Sequence, residues 1–323
     1  MTARIFAYVA QKGGVVDDSA AELAAAARKI DAKASVTAIV TGSVAEVGPA
    51  AEALTSFFSE VWKIGSDALA YPNGEVVRKA LVKVVPRSSL VLTFHNHFGM
   101  DLVPGLSIQL GSACVSDIVD VEGMDGTFLK AVRQEYGGQV STHVRCDLSS
   151  GAVLSVRPGA FQWVEGAAVR GAVVDRSSGV GDLTARRRYV ETLVAETGGV
   201  DIAKEEVLVS VGRGIQERDN IAIAQDLADA LGAALCCSRP VVDAKWMEKS
   251  RQVGTSGKTV KPRIYLACGI RGAFQHLGGL KGKPFIVAIN KDAKAPIFRV
   301  ADVGVVADIL EFLPILTSKI REL

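Results

Sequence analysis

The residue types best suited to chemistry in this chain fall between Ser238 and His276. Ser238-Arg239 comes first, then Gln252-Val253-Gly254-Thr255-Ser256-Gly257-Lys258, then Gly269-Ile270-Arg271-Gly272-Ala273-Phe274-Gln275-His276. Fixed cations, small hydroxyl and glycine positions and a histidine therefore share one stretch, on loops between expected strands. Glycines let backbone N–H groups approach an oxyanion closely, and a guanidinium supplies permanent positive charge. Such a set is suited to holding a large anionic cofactor. The motifs contain no nucleophile with its base and no carboxylate dyad, so binding and tuning explain them better than hydrolysis.

Two familiar phosphate motifs fail on spacing. Val207 to Val211 reads as a strand ending in Gly212-Arg213-Gly214, but the third glycine of a dinucleotide turn would fall at Glu217. Gly254 to Thr259 resembles a phosphate loop, yet a glycine is needed where Gln252 stands, and the segment precedes a strand instead of following one. What survives is Arg213 at the carboxyl end of a strand, and a turn at Gly269 to Gly272 whose backbone, with a helix opening at Ala273, suits a pyrophosphate.

These residues need a scaffold, and the hydrophobic rhythm supplies one. Arg4 to Val9, Ser35 to Val40, Val61 to Ile64 and Leu90 to Phe94 read as strands. Helices are expected after Asp17-Asp18-Ser19 as far as Ile30, and over 47–57 and 74–84. That alternation predicts a parallel, doubly wound sheet. One more helix is expected over 101–110. The strands expected at 117–121, 127–132, 139–144 and 152–156 are too closely spaced for crossover helices, and an antiparallel extension of the same sheet accounts for them.

Around 166–206 the periodicity weakens, and a second strand-helix series follows, with strands at 207–211, 234–237, 263–268 and 285–289 and helices at 220–231 and 307–320. The expectation is two α/β domains, each with a Rossmann-like, mostly parallel doubly wound sheet: 1–200 and 201–323. The total of 323 residues agrees, since single cores seldom grow past roughly 250 residues.

Other features carry less. A net charge of +2 calls for neither nucleic acid nor an anionic membrane. No apolar run reaches the roughly 18 residues of a membrane span, and Met1 to Ala10 reads as a strand and not as a targeting segment. Five cysteines without C-x-x-C or metal-ligand spacing suggest reduced thiols and a cytoplasmic protein; the vicinal Cys236-Cys237 reads as two small apolar residues at a strand end. His95 and His97 lack a third ligand nearby, so no metal is expected. Arg186-Arg187-Arg188 reads as a solvated face or partner contact.

The second half resembles the alpha subunit of electron transfer flavoprotein. The resemblance runs from Val207 to Pro314 through ordered motifs: Val-Gly-Arg-Gly at 211–214, Ser-Arg-Pro-Val-Val-Asp at 238–243, and the two stretches at 252–258 and 269–276. Ala-Ile-Asn-Lys-Asp at 288–292, Ala-Pro-Ile-Phe at 295–298 and Ala-Asp-Val-Gly-Val-Val-Ala-Asp at 301–308 continue it. Over the first half it is looser, carried by Val156 to Phe161.

The resemblance implies one FAD in the second domain. Arg213 would lie near its phosphate or ribityl region, Ser238 beside the isoalloxazine and Arg239 over the ring. Val253, Gly254, Thr255 and Ser256 would line the ring edge, with the Ser256 hydroxyl offered to N5. Gly272, Ala273, Phe274 and Gln275 would wrap the ribityl and pyrophosphate, His276 would donate toward the C2 carbonyl, and Asn290, Asp308 and Ile309 would hold the adenosine end. Arg271 stands where the family commonly has serine, either as an extra cation against the FAD or turned to solvent. A guanidinium about 4 Å from a reduced flavin's negative charge contributes at most about 4 kcal/mol at an effective dielectric near 20.

The resemblance further implies pairing with a beta subunit that carries AMP or a second FAD, with the first domain as the shared platform. Electrons would pass from flavin dehydrogenases to a quinone reductase or another acceptor, and an electron-bifurcating form of that role is compatible. A reading from another class is a nucleotide-binding scaffold related to ATP-pyrophosphatase-like domains, without a redox role. It calls for a Ser-Gly-Gly-x-Asp turn after the first strand, which Ala10 to Asp17 does not supply.

Overall fold

The computed structural model describes residues 4–16, 20–71, 73–136, 139–163, 170–187, 189–191 and 201–322. The chain divides into two compact units, Met1–Glu191 and Thr192–Leu323, each built on its own sheet.

The first unit begins with β1 (Ile5–Val9), a small hairpin of β2 (Gln11–Lys12) and β3 (Val15–Val16), α1 (Ala20–Ile30), β4 (Val36–Gly42) and α2 (Val47–Leu54). It continues through β5 (Glu60–Gly65), α3 (Gly74–Val84), β6 (Leu90–Phe94) and α4 (His97–Leu110). β1 and β6 are buried at every position, as strands covered by helices on both faces must be. Leu23, Ala27, Ala50 and Leu54 of α1 and α2 fill one side, and Val77, Leu81, Leu102 and Leu106 of α3 and α4 fill the other. Asn73 and Asn96 cap α3 and α4 by accepting from the amides of Glu75 and Gly99. The Asp17-Asp18-Ser19 cap expected for α1 lies outside the described residues.

β7 (Ala113–Asp125), β8 (Phe128–Glu135) and β9 (Val140–Asp147) form the expected antiparallel extension. β10 (Ala152–Val156) does not belong to it. It inserts between β6 and β7, parallel to both, giving the order β11-β5-β4-β1-β6-β10-β7-β8-β9 with β11 (Ala172–Asp175) parallel to β5 at the far edge. β7 makes this possible: residues 113–118 pair with β10, and residues 118–125, after irregularities in register, pair with β8. Ala-Val-Leu-Ser-Val is buried throughout, which suits a central strand and not a half-solvated antiparallel one.

The second unit runs β12 (Val207–Val211), α5 (Ile221–Ala230), β13 (Ala234–Cys237), α6 (Arg239–Asp243), β14 (Ile264–Cys268), α7 (Phe274–Leu277), β15 (Phe285–Ile289), β16 (Val303–Val305) and α8 (Ile309–Arg321). The strands are all parallel, in the order β13-β12-β14-β15-β16. Val209, Val211, Cys237 and Cys268 pack under α5 and α8, while Leu208, Cys236, Tyr265 and Ala267 face the opposite layer. The expected helix at 307–320 starts two residues later, because Asp308 is its N-cap and β16 precedes it. No helix among the described residues is long and apolar enough to cross a membrane.

Candidate functional site

The strand order of the second unit places its topological switch point between β12 and β14, where successive connections leave in opposite directions. Open α/β sheets bind ligands outside the carboxyl ends of the strands at such a point. Here those ends are Gly212-Arg213-Gly214 after β12, Ser238-Arg239 after β13 and Gly269 to Gly272 after β14.

The two glycine turns touch through their backbones. Gly214 N donates to Gly269 O at 3.1 Å, and a Cβ on Gly212 would stand 2.3 Å from that same oxygen. Only glycine permits the approach. Gly272, at φ +88°, lies so close to the next loop that a Cβ would meet Ile297 N at 2.4 Å.

Beside these turns residues 252–258 form a tight loop that shows its hydroxyls to solvent. Its base is fixed from inside: Val253 N donates to Cys237 O at 2.9 Å, Lys258 N to Gln252 O at 2.7 Å and Thr255 N to Gln275 O at 2.7 Å. Buried Gln252 donates through Nε2 to Ser256 Oγ at 2.9 Å. Lys258 Nζ pairs with Asp201 at 2.6 Å. Thr255 and Ser256 are exposed, Val253 and Gly254 are buried, and Ser238 is buried at the end of β13.

His276 is 6% exposed, and both its ring nitrogens have partners within the chain. Nε2 lies 2.7 Å from the Tyr265 hydroxyl and Nδ1 lies 3.1 Å from the Val253 carbonyl. Burial pulls its pKa down to about 4, against a smaller upward push from the Val253 carbonyl, so the ring is neutral at pH 7. The expected donation from His276 toward a flavin C2 carbonyl therefore has no free ring N–H in this arrangement. The imidazole instead ties the 252–258 loop to the turn that carries it.

The cations behave differently. Arg213, Arg239 and Arg271 are all exposed, and among the described residues none of the three bonds to the hydroxyl loop. Arg239 sits at the start of α6, and it pairs with Asp243 at 3.3 Å with both side chains about two-thirds exposed (67% and 63%). An exposed pair of this kind contributes at most about 1 kcal/mol, so Asp243 holds Arg239 only weakly.

α7 is a single turn, so Ala273, Phe274 and Gln275 contribute backbone and exposed side chains, not a helix-dipole site. The remaining residues have structural engagements. Asn290 Nδ2 donates to Ile270 O at 2.9 Å, Asp308 caps α8 through the Leu310 amide at 3.0 Å, and the Ile309 side chain is buried in the core against Gly269. Sequence motifs point neither to Tyr265 nor to the role of Gln252. A tyrosine in an otherwise apolar buried strand, and an amide directly before the loop, were the available signals, because buried polar groups must find partners.

Exposed hydroxyls and two glycine turns in backbone contact at the switch point, with exposed guanidinium groups beside them, suit a ligand that carries phosphates. A profile of the Electron transfer flavoprotein domain matches residues 5–178, more than half the chain, and one of the Electron transfer flavoprotein FAD-binding domain matches residues 201–281. The chain belongs to the electron transfer flavoprotein alpha-subunit family. It is 30% identical to the Electron transfer flavoprotein subunit alpha of Thermoanaerobacterium thermosaccharolyticum, across 99% of this chain and 98% of that relative. The Bacillus subtilis subunit alpha is 35% identical over 77% of this chain and 75% of its own, and the mitochondrial subunit alpha of Arabidopsis thaliana is 31% identical over 96% and 88%. The second unit thus carries this family's FAD-binding domain, with Arg213, Ser238, the hydroxyl loop and the 269–276 turn inside the matched span and Asn290, Asp308 and Ile309 beyond it.

Proposed function

We propose that this chain holds one FAD at the β12/β14 switch point and uses it to relay electrons from flavin dehydrogenases to a quinone-reductase-type acceptor. The observation that carries this reading is the convergence of the hydroxyl loop and the two glycine turns on one strand edge, inside the span matched as an FAD-binding domain. When bound, the flavin supplies the electron-carrying chemistry.

The protein's own residues bind and orient. In this reading Val253, Gly254, Thr255 and Ser256 line the ring edge, and the Ser256 hydroxyl is the donor because Gln252 occupies its oxygen from behind. Ser238 lies beside the ring, and Arg239 reaches over it by leaving Asp243. The backbone of Gly272 to Gln275 follows the ribityl and pyrophosphate, with Arg213 and Arg271 supplying charge at the phosphates. Asn290, Asp308 and Ile309 border the adenosine end through their backbones, since their side chains are engaged in structure. His276 orients the Val253 carbonyl.

Alpha subunits of this family pair with beta subunits. We place the shared platform in the first unit, where the β7–β9 extension leaves Met124, Tyr136 and Val140 exposed. Four buried cysteines and one exposed, none in a disulfide, suit a reducing cytoplasm. Purification of the chain with its beta partner is expected to yield at least one FAD per alpha subunit, with flavin absorbance bleached by a dehydrogenase and its substrate. A complex without flavin overturns the reading.

A further inference from the structure

Tyr265 is fully buried in β14, on the sheet face it shares with Ser210 and Cys236. The other side chains of that strand, Ile264, Leu266, Ala267 and Cys268, have no need of a strong hydrogen-bond partner. A phenol removed from water must place its O–H, and its partner is Nε2 of His276 at 2.7 Å. Ser210 and Cys236 flank the phenol closely enough to interact with it.

The protons on this chain of groups follow from what each can do. A backbone carbonyl only accepts, so Nδ1 of His276 carries the hydrogen shared with Val253 O. In a neutral imidazole Nε2 is then the acceptor, and Tyr265 must donate. The opposite tautomer would set the Nδ1 lone pair against the Val253 oxygen.

We infer that Tyr265 is a positioning residue for the hydroxyl loop: by donating to Nε2 it anchors the imidazole in the Nδ1–H tautomer that the Val253 carbonyl selects, and that N–H holds the Val253 carbonyl from which Thr255 and Ser256 are presented. Val253 has its amide on Cys237 O and its carbonyl on His276, so it is clamped from both sides. Thr255, two residues on, is held by Gln275 O, the residue beside His276. The loop that presents the hydroxyls is thus registered against the sheet by the Val253 amide on Cys237 O and by the imidazole, and the imidazole by one phenol. Its consequence for a flavin rests on the proposed function; the proton arrangement does not.

The test uses the full chain in its complex with the beta subunit, with ring-nitrogen-labelled histidine. The sequence has four histidines, and comparison with His276→Gln identifies the signal of interest. Wild type is expected to show a proton on Nδ1 and none on Nε2. In Tyr265→Phe the Nε2 signal shifts as it loses its hydrogen bond, and amide exchange at Gly254 and Thr255 quickens about tenfold, the effect of one neutral hydrogen bond. Exchange at Ala267 in β14 is expected to stay unchanged.

A proton on Nε2 in wild type overturns the inference, and that spectrum decides even if Tyr265→Phe fails to fold. An unchanged Nε2 signal and unchanged loop exchange in folded Tyr265→Phe also overturn it. So does equal acceleration in loop and strand, which would mark a tyrosine that only fills space. FAD content is read on the same wild-type sample: its absence would sink the proposed function and leave the tautomer result standing.

Discussion

Gln252 Nε2 donates to Ser256 Oγ at 2.9 Å, and this bond leaves the hydroxyl hydrogen of Ser256 free to point out of the loop. A buried amide thereby sets the direction in which an exposed hydroxyl can donate. Ser256→Ala removes one donor from the surface without opening a cavity. FAD affinity is expected to fall by about 3- to 10-fold, the effect of one hydrogen bond, with the melting temperature unchanged. Equilibrium dialysis of the complex against FAD measures this, and identical affinities would remove Ser256 from the ring edge.

Arg271 is exposed, and among the described residues its side chain makes no ion pair, although its carbonyl accepts from Ile297 N at 3.0 Å. Arg271→Ser should therefore leave urea stability within about 0.5 kcal/mol of wild type. If the guanidinium meets the FAD phosphates, the variant binds FAD several-fold more weakly at low salt, and the difference closes toward 1 M salt. Equal affinities at low salt would turn this side chain to solvent.

His276 ties stability to pH. Burial lowers its folded pKa to about 4, outweighing the opposite effect of the Val253 carbonyl, while an unfolded histidine titrates near 6.5. Between those values the unfolded chain binds the proton and the folded chain does not, so stability is full above about pH 6.5 and is lost as pH falls toward 4. The loss attributable to this one group is on the order of 3 kcal/mol. Urea midpoints at pH 7.5 and 4.5, compared between wild type and His276→Gln, isolate it, since the variant lacks the titrating ring. Parallel pH profiles would place the ring in a wetter site.

Gly272 combines φ +88° with backbone contact to the 295–298 loop. Gly272→Ala should destabilise the second unit by about 1–3 kcal/mol from backbone strain alone, before the clash with Ile297 N is counted. Gly232, also at positive φ but with open space around it, supplies the control. Its alanine variant should show only the strain. Equal losses at both positions would mean that the Ile297 contact is slack.

Much of the scaffold was legible because burial pattern and chain spacing are local. α3 and the strands β6, β12, β13 and β15 fall on the expected residues, each being a short apolar run or an amphipathic stretch between turn residues. β10 also falls on its expected residues, but its pairing was not legible, because four residues separate it from β9 and suggest a hairpin, whereas pairing with β6 and β7 is decided by partners about 60 and 40 residues away in the chain. The failed spacing of the two phosphate motifs was likewise local information.

The chemistry of the site divides along the same line. Residue types and their order determined that loops at 238–239, 252–258 and 269–276 would carry hydroxyls, glycines and cations, and the ordered motifs resemble one family. Only the tertiary structure decided what each group is free to do. Arg239 is drawn to Asp243 by a helical i,i+4 spacing, and Ser256 receives its hydrogen bond from a buried amide. His276 is neutral and doubly bonded because the fold removes it from water and sets it between a phenol on one strand and a carbonyl on another loop. Protonation and hydrogen-bond direction depend on desolvation and on partners distant in the chain, and neither is a property of a residue's neighbours in sequence.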